Sequence, residues 1–359
     1  MTQNRPGFTI VDVLAAAAIV SVAGAAAQPV FNVNRGAGFN AANEANHREL
    51  AVRQHVFMLD NDNQFAGPNV TGWPGMQGVP IDGGRFVGNT SATTPVEQHD
   101  FISPLFGDDL GFSPNRALRF MQLLERFRDP AQRRFNDEFF FGDDTPDLAD
   151  FEAILDIGGR FRATSYLSPA TFHYWGTPRG GFDPDKGGVV PSDEDAWQQE
   201  FGGVPYNWGG PIATQIETPR DYRPRLDNVG TSLADKALLA DGSRFLEPDT
   251  GIVDIQVDPA PRLLGNFTHG FLSAETESSY GRLRGDGSNV RLSARRIGGK
   301  TLGDAVMYVT FFDGSTRAVR VGDAKARPDW WAPTGSEWVG LQDIAPEAAS
   351  QYEVGDRLP

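Results

Sequence analysis

Residues 8 to 27, FTIVDVLAAAAIVSVAGAAA, are the one segment of the chain with membrane character, and they carry a single charge, Asp12. As a helix rising 1.5 Å per residue this segment would be about 30 Å long, the thickness of a bilayer's hydrocarbon core. An ionised carboxylate within a membrane costs on the order of 3 kcal/mol, so Asp12 implies a partner or a function. No later stretch reaches this length without charges, so a single crossing is expected, with the rest of the chain on one side. Arg5, the only charged side chain ahead of the segment, places the N-terminus in the cytoplasm and the body outside.

Two export readings fit these residues. In one, Arg5, an apolar core from Val13 to Val22 and the small residues Ala25-Ala26-Ala27 form a secretory signal peptide. Cleavage at Ala27 would then release a soluble binding or hydrolytic protein beginning at Gln28. The other reading starts from Gly7 followed by Phe8-Thr9-Ile10-Val11-Asp12, which puts the acid fifth after the glycine. This pattern resembles the N-terminus of type IV prepilins and type II secretion pseudopilins. In that family a short basic leader ends in Gly, the next residue becomes the methylated N-terminus, and an acid occupies the fifth mature position.

The resemblance implies that a prepilin peptidase cuts between Gly7 and Phe8 and that Phe8 is N-methylated. It further implies that Asp12 pairs with the cationic amine of Phe8 in a neighbouring subunit during assembly. Asp stands where Glu is usual, and Pro6 lies between Arg5 and Gly7. Pro29 falls where pilin-like helices commonly carry a proline that weakens the hydrogen-bond ladder, and Gly24 adds to that weakness. Asn46-His47-Arg48-Glu49 and Asp60-Asn61-Asp62-Asn63 stand where large pseudopilin-like proteins carry "NLRQ" and "YANDN". KALLADGSRF (236–245) and VTFFDGSTRAV (309–319) resemble later segments of that class, although Gly303 replaces a histidine expected there.

The fold class so implied is α+β and pilin-like: a long N-terminal membrane helix packed on an antiparallel β-sheet, with a large loop-rich globular domain. The expected divisions are a leader at 1–7, a transmembrane and assembly helix at 8–30, its continuation at 31–63, and a periplasmic or extracellular globular domain at 64–359. The implied partners are the peptidase, other pilin or pseudopilin subunits and the inner-membrane assembly platform. The implied location is the inner membrane, as a single-pass protein, or a surface filament.

Composition allows an exported protein. The net charge of −15 repels phosphate backbones and no basic patch interrupts it, so nucleic-acid binding is not expected. Cysteine is absent, which excludes disulfides and thiolate metal sites. Ile297-Gly298-Gly299-Lys300-Thr301 ends like a phosphate loop, but the required first glycine would fall at Ala294. The histidines at 47, 55, 99, 173 and 269 are scattered and read as solvated or satisfied in the core. No cofactor is expected. Calcium is the one ion with oxygen ligands on offer, at Asp60-Asn61-Asp62-Asn63 and around Asp143, Asp144, Asp147 and Asp150, and neither set has an EF-hand pattern.

Periodicity gives residues 39 to 59 a moderately helical reading, with Phe39, Ala42, Leu50, Val56 and Leu59 facing inward, and a break at the glycine-rich 34–38. Ser113-Pro114 starts a helix that places Ala117, Phe120, Leu124 and Phe127 on one face and ends near Asp129-Pro130. Residues 176 to 230 read as long loops. Strands are expected in GIVDIQV, RLLGNFTHGFL, NVRLSARRI and AVMYVTFF, the last turning into TRAVRV across Asp313-Gly314. Trp330, Trp331 and Trp338 are either packed on the sheet or part of a partner surface.

Overall fold

A computed structural model describes residues 35–72, 80–81, 85–86, 91–130, 135–136, 139–141, 145, 147–162, 164–173, 182–183, 188–189, 216–219, 221–242, 253–257, 268–269, 295–296, 305–338 and 350–359. Helix α1 (Arg35–Asp60) is followed by α2 (Ile102–Leu110), α3 (Arg116–Arg126) and α4 (Leu148–Asp156). The main sheet is built from β1 (Tyr166–Pro169), β2 (Ala237–Asp241), β3 (Thr268–His269), β4 (Arg295–Arg296), β5 (Ala305–Phe311) and β6 (Thr316–Arg320). Its order is β3-β1-β2-β5-β4, with β6 also on β5, and every pairing is antiparallel except β3 with β1. The architecture is therefore α+β, a long helix lying on a mainly antiparallel sheet.

Strand β5 separates two cores by simple alternation. Met307, Val309 and Phe311 enter one with Trp330, Trp331 and Trp338, while Thr310 points to the opposite face, toward α1. The tryptophans are thus packed against the sheet. Strand β2 breaks this alternation at a register shift between Ala237 and Leu239, which turns both Leu238 and Leu239 into the α1-side core. The β5–β6 turn closes through Asp313-Gly314, where Gly314 takes φ 84° and Asp313 Oδ1 accepts from the Ser315 amide at 2.9 Å. Helix α3 presents the expected apolar face, with Ala117, Phe120, Leu124 and Phe127 buried. Its cap is Asn115 rather than Ser113: Asn115 Oδ1 accepts from the Leu118 amide at 3.0 Å.

Helix α1 departs from its expected face. The buried positions are Asn43, His47, Leu50, Ala51, Gln54 and Met58. Of the residues expected inside, Leu50 is buried and Phe39 half-buried, whereas Ala42 faces solvent and Val56 and Leu59 are 37% and 75% exposed. Asn43, His47 and Gln54 share the inward stripe with Leu50, Ala51 and Met58, so a search for apolar period places that stripe only in part. A break or frayed turn is the expectation for 34–38; the described residues begin within that stretch, and α1 runs from Arg35 through Gly36 and Gly38. A helix anchored further along propagates through weak formers at a cost of only about 1 kcal/mol per glycine.

Candidate functional site

The polar stripe of α1 meets the sheet in a network centred on the buried Asn43, His47, Asp241 and Thr310. His47 Nε2 lies 2.8 Å from Asp241 Oδ1 on β2, and its Nδ1 lies 3.0 Å from Thr310 Oγ1 on β5. Asn43 donates to the same Asp241 oxygen at 2.8 Å, and the Tyr308 amide donates to the other at 2.8 Å. Tyr166 on β1 gives its hydroxyl proton to Asn43 Oδ1 at 2.6 Å, and Asn46 donates to the Tyr166 oxygen and to the Arg128 carbonyl. One helix side is thereby bound to β1, β2 and β5 through polar atoms that all find partners, as buried polar groups must.

Thr310, His47 and Asp241 are the residue types of a nucleophile, base and acid relay, but their arrangement does not suit that chemistry. Threonine, histidine and aspartate here are all fully buried. A carboxylate accepting from Nε2 leaves Nδ1 toward the hydroxyl, and Thr310 Oγ1 is also 2.9 Å from Thr316 Oγ1. A nucleophile needs open space on the side where the reacting carbon sits. The network works as a clamp.

Two further contacts extend it along α1. Gln54 pairs its amide with both backbone groups of Ala66, donating at 2.9 Å and accepting at 3.2 Å, which ties down the chain beyond the helix. His55 reaches the carbonyls of Ala51 at 2.7 Å and Phe312 at 2.9 Å, joining α1 to the β5–β6 turn. At the helix end Asp62 and Asn63 adopt positive φ, and Asp62 pairs with Arg225 at 2.7 Å. Among the described residues no group of three or more His, Asp or Glu is placed to hold a metal ion.

Further buried polar residues lie elsewhere in the fold. Asp100 caps α2 by accepting from the amides of Ile102 and Ser103, and burial raises its carboxyl above the usual range. Arg116 is sealed against Asp147 at 2.8 Å. Lys236 gives its ammonium to the oxygens of Asp329, Ala332 and Pro359, and burial draws it down to about 8. His173 is pushed to about 3 by burial alone.

Beside the outer half of α1 lies an open groove of about 710 Å³. Leu110, Phe112 and Met121 supply apolar lining, and Arg126, Arg128 and Arg160 stand with Glu125 among its polar residues. Nothing in the sequence grouped these arginines, because they come from α3, the turn after it and the segment after α4. The residues singled out from sequence, Gly7, Phe8, Asp12, Gly24 and Pro29, lie outside the described residues, as do Asp143, Asp144, Gly303 and the segment 297–301. Among the described residues no helix is long and apolar enough to cross a membrane. No family model, no curated protein and no solved structure matches the chain.

Proposed function

We propose that the chain is a non-enzymatic, prepilin-like structural subunit, cut after Gly7, held in the inner membrane by residues 8–30, and assembled into a type IV pilus or a type II secretion pseudopilus. The observation that carries this reading is the glycine, phenylalanine and fifth-position aspartate standing ahead of a chain whose 26-residue helix lies on an antiparallel sheet. The buried clamp supports it: force applied along α1 would be carried into β1, β2 and β5 by several hydrogen bonds rather than by sliding apolar contacts. The sealed Thr310–His47–Asp241 arrangement supports the absence of catalysis at that place. Assembly would draw on packing between apolar helices and on pairing of Asp12 with the Phe8 amine.

The test is N-terminal sequencing of the mature protein from membranes. N-methylated Phe8 is expected. A mature chain starting at Gln28 would overturn this reading in favour of an exported soluble protein.

A further inference from the structure

Both ring nitrogens of His55 face oxygens that can only accept. Nδ1 lies 2.7 Å from the Ala51 carbonyl, one turn back on α1, and Nε2 lies 2.9 Å from the Phe312 carbonyl at the β5–β6 turn. A neutral imidazole carries one N–H, so in either tautomer its other nitrogen would aim a lone pair at an oxygen lone pair. Only the imidazolium, with an N–H on each nitrogen, satisfies both contacts, and it does so through charge-assisted hydrogen bonds. His47 differs: its ring has a carboxylate on one side and, on the other, a hydroxyl that can give a proton, so it is satisfied while neutral.

The two carbonyls are held independently of the histidine. Ala51 is buried within α1. Phe312 is buried, its amide donates to the Lys236 carbonyl at 2.9 Å, and its ring packs against Phe65 and Phe172. Neither oxygen is therefore free to swing away when the ring loses a proton. His55 itself is half-buried, which leaves its protons within reach of water.

Among the described residues no carboxylate bonds to this ring, and the charged groups on the elements around it are engaged elsewhere. On α1, Arg48 pairs with Glu44 and Arg53 with Asp109, while Asp60 is exposed at the helix end. At the turn, Asp313 holds Ser315, and Arg317 donates to the Ala234 carbonyl. Ahead of β2, Asp235 accepts from Ser232 and Lys236 donates to three carbonyls. Beyond α1, Asp62 pairs with Arg225. The protonation state of His55 is thus left to the two carbonyls.

We propose that His55 is a proton-operated latch: doubly protonated, it pins the second half of α1 to the β5–β6 turn, and loss of either ring proton opens that junction. Attachment of the helix to this end of the sheet then tightens in acid and loosens as pH rises, opposite in sign to the effect of a histidine buried as the neutral ring.

The test compares urea unfolding of the full-length chain with that of His55→Gln, whose side chain does not titrate, at pH 5.5 and pH 8. The other histidines are common to both proteins and cancel. The wild type's advantage in unfolding constant should shrink about tenfold over that interval, as a hydrogen bond from a charged donor gives way to one from a neutral donor. An advantage that is constant or grows with pH overturns the latch. A second measurement needs no variant: in wild-type chain labelled with nitrogen-15 histidine, the ring close to the Ala51 and Phe312 protons is observed by NMR at pH 7. More than half of these rings should carry protons on both nitrogens, where a freely solvated histidine has about one quarter in that form. A fraction of one quarter or less overturns the proposal as well.

Discussion

His47 Nε2 and Asp241 Oδ1 lie 2.8 Å apart with both side chains fully buried, and this pair joins the helix to the sheet across 194 residues of chain. Removing one member leaves the other without its partner in a medium that solvates it poorly. Asp241→Ala should therefore destabilise by about 3–5 kcal/mol, and His47→Ala by a similar amount. The double variant should cost clearly less than the sum, since the two share one network. Urea unfolding of the four proteins measures this. Additive losses would show that the two residues stabilise the fold independently.

That pair also marks where the sequence was legible and where it was not. The apolar face of α3 and the Asp313-Gly314 turn were readable because local rules decide them: Ala117, Phe120, Leu124 and Phe127 repeat at helical spacing, and a positive φ at Gly314 needs glycine. The inward side of α1 was not. Its contacts are made by Asn43, His47 and Gln54, whose partners Asp241, Thr310 and Ala66 are set by the tertiary fold. Hydrophobic period then points to Val56 and Leu59, which face solvent. The groove was hidden for the same reason, its arginines being brought together only by packing.

His173 gives a pH signature with a defined sign. Burial lowers it from 6.5 to about 3, so the folded protein keeps a neutral ring where the unfolded chain binds a proton. Its contribution to stability is complete above pH 6.5 and is lost as pH falls from 6.5 toward 3. Across that window the wild type should lose up to about 1.4 kcal/mol per pH unit more than His173→Leu, one proton's worth of linkage. Chemical unfolding at pH 7, 5.5 and 4.5 gives the difference directly. Parallel pH dependence in the two proteins would mean that the ring takes up its proton as readily in the fold as in the unfolded chain.

The same ring explains a glycine. A Cβ placed on Gly67 would lie 2.0 Å from His173 Nδ1 and 2.8 Å from Cε1, and the ring is confined between Phe65 and Phe101. Gly67→Ala should cost about 1–3 kcal/mol through overpacking. In a His173→Ala background, where the space is vacated, the further cost of Gly67→Ala should fall below about 0.5 kcal/mol, because the two sites couple by contact. Thermal melts of the four variants decide this, and an undiminished cost in the vacated background would place the strain in the backbone instead.

Asp12 offers the last prediction, argued from sequence. If its carboxylate is kept because it pairs with the Phe8 amine of a neighbouring subunit, Asp12→Ala removes a charge that costs on the order of 3 kcal/mol in a membrane and should ease insertion. Assembly should nevertheless fall, because the amine then enters an apolar setting without its counter-charge. Asp12→Glu should be tolerated, since it keeps the charge and adds one methylene of reach. The measurement is the fraction of cleaved protein recovered in sheared filaments or in crosslinked oligomers for wild type, Asp12→Ala and Asp12→Glu. Equal recovery in all three would assign Asp12 to its own helix, where an acid in the first turn opposes the positive end of the helix dipole and needs no second subunit.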